Sequence, residues 1–241
     1  MKPQTFDKLW IDSWRAELGG DRPVTAAKLI TKLADLRPGS TLVDFGCGTG
    51  LVAHALTQLG VSVTGLERSA DALSEARRAA NGLCKFVSTD WRDYQPDTPF
   101  DCAIFWFTTL CGGDEHDLHA LRIAHRAIRA DGTLLIETRH WDRVPRRYDR
   151  RSERGSESCT LVEQHSYDSE SKIQTTNERY FIGGSTVSRI YQTRRYALAE
   201  LRDMCVQAGF DCVDTFDEAG LPLSEGSERL VVRARSRTHV S

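Results

Sequence analysis

The chain has 241 residues, enough for one domain with a sizeable core and an elaboration. Hydrophobic residues make up 40% and charged residues 27%, so neither a disordered nor a fibrous chain is expected. The formal net charge of -2 exerts no global pull toward nucleic acid or an anionic membrane. No apolar run reaches the length of a bilayer span, and Met1 to Asp7 lacks a signal peptide's apolar core, so the cytoplasm is the expected compartment. The seven cysteines are odd in number and form no C-x-x-C pair. Cys102, Cys205 and Cys212 fall inside apolar patterns, which predicts buried reduced thiols and no metal site.

Helical periodicity runs over residues 5–36, with Phe6, Trp10 and Trp14 four residues apart, until Arg37-Pro38-Gly39 punctuates the chain. Strands and helices then alternate. Strands are predicted over 42–45, 61–66, 84–88, 100–107 and 133–138, and helices over 51–59, 70–80 and from Leu118 to Ile128. Near-continuously apolar strands alternating with helices indicate an α/β fold, a mostly parallel sheet covered on both faces. From Arg139 to Ser158 the chain is polar, Arg-rich and aperiodic, and is expected to form a loop. Residues 159–168, 172–182 and 186–196 predict a three-stranded antiparallel meander. A helix over 197–208, stopped by Gly209, and strands over 211–216 and 230–234 close the chain. The expected organisation is a helical cap (1–36), a cofactor-binding core (37–138), an Arg-rich loop with covering strands (139–196) and a closing segment (197–241).

The stretch Val43-Asp44-Phe45-Gly46-Cys47-Gly48-Thr49-Gly50 carries most of the functional information. Glycine lets a loop turn sharply and bring backbone N–H groups against a ligand, and those groups open a helix whose positive end favours an anion. The pattern predicts a nucleotide-like cofactor with a negatively charged part. A dinucleotide fold wants G-x-G-x-x-G, whereas here the third glycine comes one residue early. A phosphate-cradling loop is excluded because no Gly-Lys-Ser/Thr follows.

The loop with Asp44 resembles motif I of the class I S-adenosylmethionine-dependent methyltransferases, [VIL]-[DE]-x-G-x-G-x-G. Phe100-Asp101 and Ala130-Asp131-Gly132-Thr133-Leu134-Leu135-Ile136 are similar to that family's fourth and fifth strands. The resemblance implies a Rossmann-like seven-stranded sheet and S-adenosyl-L-methionine as cofactor. It implies that Asp44, Gly46, Cys47, Gly48 and Gly50 cradle the cofactor. Glu67, at the end of the second strand, would accept from the ribose hydroxyls with Arg68 beside it. Asp90 would accept from the adenine amino group and Trp91 would lie on the ring, with Phe105 and Phe107 on the fourth-strand side. Plainer readings stand beside these. Glu67 is then a strand-end carboxylate, Asp90 a helix N-cap, Cys47 a small filler and Trp91 a packing residue.

The acceptor pocket is expected beyond the carboxyl ends of the strands. Thr108 and Arg139 follow strands four and five, Tyr180 and Tyr191 stand on the meander beside Glu163 and His165, and Trp10 and Trp14 close the other side. His140 is the predicted base, since an imidazole titrates near neutrality; satisfying a loop carbonyl is its structural alternative. Arg139 could bind a substrate carboxylate or pair with Glu137 or Asp142. The tail Tyr196-x-x-x-Glu200-Leu201 with Ala208-Gly209-Phe210 resembles small-molecule N- and O-methyltransferases, including sugar N-methyltransferases, which implies a small-molecule acceptor. Two alternatives are kept. The Arg cluster at 139–154 suggests RNA or other nucleic acid, although Asp142, Asp149 and Glu153 interleave with it. The other is a cofactor-binding protein without transfer activity. The oligomeric state is left open, a homodimer being compatible.

Overall fold

The computed structural model describes residues 7–18, 20–80, 84–107, 109–145, 147–156 and 159–236. Phe6 and Thr108 lie outside these residues, and so does the side chain of Trp14. The elements are α1 (Lys8–Leu18), α2 (Arg22–Leu33), β1 (Thr41–Phe45), α3 (Leu51–Thr57), β2 (Ser62–Glu67), α4 (Ala70–Ala80), β3 (Lys85–Ser88), β4 (Phe100–Phe105), α5 (Asp114–Ala127) and β5 (Ile128–Arg139). There follow β6 (Arg147–Ser156), β7 (Cys159–Asp168), β8 (Ile173–Ile182), β9 (Ser185–Arg194), α6 (Leu198–Gln207), β10 (Phe210–Phe216) and β11 (Arg229–Ser236).

The large sheet runs β10-β11-β5-β4-β1-β2-β3. Pairings from β3 through β5 are parallel, and β11 is antiparallel to both β5 and β10. Strand alternation sends neighbouring side chains to opposite faces. Leu42, Cys102 and Ile104 join α2 and α3 in one core cluster, while Val43, Ala103 and Phe105 join α5 and α6 in another. That is why these strands read as unbroken apolar runs. The expected cap over 1–36 therefore divides. Pro23 sits at the start of α2, where its missing N–H costs nothing, and Ala27, Ile30 and Leu33 bury into the core. Only α1 is a separate cover.

The second sheet has four strands, β6-β7-β8-β9, where three were expected. The Arg-rich segment is not a loop. Residues 147–156 pair in full antiparallel register with β7, from Arg147 against Asp168 to Ser156 against Cys159. As an edge strand β6 carries charges that blunt further pairing, so it shows no apolar alternation. Among the described residues no helix is long and apolar enough to cross a membrane. Cys102 and Cys205 are buried free thiols as expected, and the side chain of Cys212 lies outside the described residues.

Candidate functional site

At the carboxyl end of β1 the chain turns through three glycines, all with positive φ: Gly46 at 76°, Gly48 at 55° and Gly50 at 74°. A Cβ on Gly46 would stand 2.6 Å from Thr109 Cγ2, and one on Gly50 would stand 2.7 Å from Phe86 Cζ. These two glycines are demanded by packing. A Cβ on Gly48 would meet nothing within 4 Å, so the middle glycine faces open space. Cys47 is a filler: its Sγ would be 2.7 Å from a Cβ on Gly65 of β2, and burial pushes its thiol up.

Two buried carboxylates flank the loop. Glu67 at the end of β2 accepts from the backbone N–H of Gly48 (3.1 Å), Arg68 (2.8 Å) and Ser69 (2.8 Å). It thereby ties β2 to the middle glycine. Asp44 is 3% exposed; burial, and then the nearby Glu67 carboxylate, push it up to about 7. Two acids held close at the mouth of a glycine loop are poised for a ligand with donors and positive charge.

The other predicted cofactor contacts fare differently. Asp90 caps the short 3-10 turn Trp91–Asp93, accepting from the Arg92 N–H (3.1 Å) and from Arg92 Nε (2.8 Å). The Arg92 hydrogen bond holds it down at about 2. The N-cap reading is thus present, at the end of β3 where the adenine reading places it too. Trp91 is half-buried and edges against His116 at 4.8 Å. Arg68 is exposed, directly after the end of β2. Phe105 is a correction. It is fully buried and stacked on Phe45 at 4.8 Å, because strand alternation turns it into the core below the site. Phe107 is 38% exposed with φ of 56°, a sparsely populated conformation for a bulky residue. It is held there by Glu137 Oε2, which accepts from its N–H at 2.9 Å, while Arg22 lies over its ring at 4.3 Å.

On the acceptor side His140 has the contacts of its structural reading, and its Nε2 lies 3.7 Å from Asp142 Oδ2. It is buried, its N–H donates to Glu228 O at 2.9 Å and its Nδ1 lies 3.4 Å from Ser227 O. The ring serves the 217–228 loop, the structural role weighed against a catalytic one. Arg139 is half-buried and lies over Tyr148 at 5.7 Å. Neither expected salt bridge forms: Glu137 takes Arg229 and the Phe107 N–H, and Asp142 accepts from the Leu198 N–H.

The second sheet turns one face inward, and α1 packs on β6 and β7 while its first N–H donates to Asp71 of α4. Trp10 is half-buried on this helix, which touches both the covering sheet and α4. Tyr180 is fully buried and donates to Glu178 Oε2 at 2.8 Å. Tyr191 is buried beside Glu178 and Glu163, and burial raises both tyrosines. Glu163 pairs with Arg154 Nη1 at 2.8 Å. Sequence reasoning missed Glu178, Gln174 and Arg195. The signal was the two-residue period of β8, which puts Gln174, Thr176, Glu178 and Tyr180 on one buried face. Three of the seven arginines at 139–154 have protein partners: Arg154 on Glu163, Arg143 on Glu225 O, Arg151 on Glu153.

Residues 42–132 match the family model described as a methyltransferase domain. The chain is 33% identical over 123 residues to a probable cobalt-precorrin-6B C(15)-methyltransferase of Thermoplasma acidophilum, covering 44% of this chain and 58% of that one. It spans about half the length of the curated relatives it matches. Solved structures are alike along almost the whole chain. The CcbJ methyltransferase of Streptomyces caelestis gives a TM-score of 0.80 at 21% identity, covering 98% of this chain and 100% of that one. CalS10, an amino pentose methyltransferase from Micromonospora echinaspora solved with S-adenosylmethionine bound, gives 0.72 at 19%, with the same coverages. The family match covers residues 42–132, and the likeness to these solved structures, both under 25% identical, is one of fold.

Proposed function

We propose that this protein transfers a methyl group from S-adenosyl-L-methionine to a nitrogen or oxygen of a small-molecule acceptor by in-line displacement. The observation that carries this reading is the Gly48 cradle: a positive-φ glycine facing open space, tied to Glu67 and flanked by buried Asp44. Bound there, the cofactor supplies an already activated methyl group. Asp44 and Glu67 offer carboxylates to its cationic and hydroxyl groups. Gly46, Cys47 and Gly50 hold the loop's shape. Arg68, Asp90 and Trp91 stand at the adenine side, and Phe107 at the acceptor side.

With a methyl donor of this kind, the chain's main task is alignment. Holding nucleophile and methyl about 3 Å apart supplies several kcal/mol without further chemistry. The inward face of the β6–β9 sheet, with Tyr180 and Tyr191, together with Arg139 at the end of β5 and Trp10 of α1, would bound the space where an acceptor lies. Nitrogen fits this face better than oxygen. Glu178 is 1% exposed and its Oε1 has no hydrogen-bond partner among the described residues, which suits an acceptor amine. Given its loop-satisfying contacts, His140 acts as a positioning residue for the 217–228 loop. The paired arginines support a small acceptor over a nucleic acid.

The test is transfer of label from methyl-labelled cofactor to a panel of amines and matched alcohols. Label on small amines is the expected result. Cofactor binding with no transfer to any member would instead support a binding protein without transfer activity.

A further inference from the structure

We infer that Arg195, together with the indole of Trp141, forms a subsite for a carboxylate group carried by the acceptor. The inference rests on the small-molecule transfer proposed above. Two successive arginines leave β9 in opposite senses. Arg194 is fully engaged, its Nε on Asp114 at 3.0 Å and its Nη2 on Glu200 at 2.7 Å. Arg195 turns the other way, beneath the covering sheet, where its guanidinium lies 5.0 Å from the centre of the Trp141 ring.

Its orientation is fixed at one edge only. Arg195 Nε donates to Gln174 Oε1 at 3.1 Å. The Gln174 amide is itself oriented, because Nε2 contacts His165 Nδ1 (3.0 Å) and Thr176 Oγ1 (3.2 Å). The free edge includes Nη1, which is sealed from solvent and has no hydrogen-bond partner among the described residues. The same holds for Trp141 Nε1. Two neighbouring buried donors without acceptors are rare in a folded protein, and a ligand oxygen would satisfy both. A guanidinium held at Nε and stacked on an aromatic presents the planar fork that matches a carboxylate.

The local charge balance agrees. Arg139, Arg229 and Arg195 bear on one another, and burial with Arg195, Arg154, Arg150 and Arg139 presses His165 down to about 4. Glu163 compensates Arg154 and Glu137 compensates Arg229. Among the described residues no carboxylate pairs with Arg139 or Arg195. Arg195 also bears electrostatically on Cys111, in the segment that follows β4, so the subsite overlies the expected acceptor pocket.

Two measurements test this. The first titrates acetate into protein saturated with S-adenosylhomocysteine, against chloride at equal ionic strength, while the His165 imidazole signal is followed by NMR. A saturable shift and a higher His165 midpoint are expected with acetate, and both are lost in Arg195→Gln. A linear response shared by acetate, chloride and the variant overturns the subsite. The second compares methyl transfer to amino acids and to their methyl esters. The acids are expected to be preferred, with KM raised about ten- to a hundredfold in Arg195→Gln, partial rescue in Arg195→Lys and little change in kcat. Esters accepted as well as acids overturn the subsite. Saturable acetate binding without transfer to any amine would leave the subsite standing and remove the transfer reading.

Discussion

Asp44 shows how a single residue sets a functional demand against stability. Its carboxyl sits at about 7 in the free protein because burial penalises the charge, and Glu67 adds to the penalty. The folded-state value lies above the unfolded one, so the folded protein binds the extra proton. Stability is therefore fullest below the ordinary carboxyl range and falls as pH rises from there to about 7. At pH 8, Asp44→Asn should stabilise the cofactor-free protein by about 4 kcal/mol at most, read as a raised thermal midpoint. The same variant should lose the cofactor. In the wild type, affinity for S-adenosylmethionine should rise with pH up to about 7 and level off above it, since the cation needs the ionised acid. Calorimetry in buffers of different ionisation heat would register the released proton. A pH-independent affinity with no proton release would remove Asp44 from the cationic end of the cofactor.

The glycines separate in the same way. Gly48→Val meets no protein atom and should fold, bearing only the strain of a φ of 55°. Gly50→Ala must displace Phe86 and should lower the melting midpoint instead. The octapeptide was legible in the sequence because spacing and residue type alone define it. Phe105 was not, because a one-residue difference along a strand decides between core and site. His140 was not either, since no local pattern announces a contact with Ser227.

At the level of elements, β6 is the part of the chain that the sequence concealed. An edge strand with Arg at 147, 150, 151 and 154 has no apolar alternation and reads as loop or as nucleic-acid contact. Its inward residue Arg154 instead meets Glu163 of β7 with both side chains nearly buried, 12% and 3% exposed. Removing one partner leaves a buried charge uncompensated, at a cost of about 3–5 kcal/mol. Arg154→Met should therefore melt the covering sheet early, detectable as lost amide protection in β6 and β7. The double variant Arg154→Met, Glu163→Leu should recover most of that loss. Equal stability of the single variant and the wild type would show that the pair contributes nothing. Glu137 acts similarly on the β4 end, where it holds the N–H of Phe107 in its rare conformation and takes Arg229 of β11. This coupling of strands distant in sequence was invisible before their adjacency in the sheet was known.

Considered as a whole, the molecule is a seven-stranded sheet with a second, four-stranded sheet inserted after β5 and α1 packed on β6, β7 and α4. The alternation of elements made the first sheet legible, because its central strands β1, β4 and β5 are buried almost throughout. The roof was legible only as a meander, and its chemistry lay in which face it turns inward. Since Arg143, Arg151 and Arg154 each have a protein partner and acids interleave with the cluster, RNA should show no binding that weakens with salt beyond background. A steep salt dependence in a filter-binding assay would reopen that alternative.

The central claim is that the loop around Gly48 holds S-adenosylmethionine. Isothermal titration of the cofactor into the wild type, Asp44→Ala and Gly48→Val, with circular dichroism to confirm folding, tests it most directly. The account predicts saturable binding to the wild type and none to either folded variant; normal binding to folded Gly48→Val would contradict it.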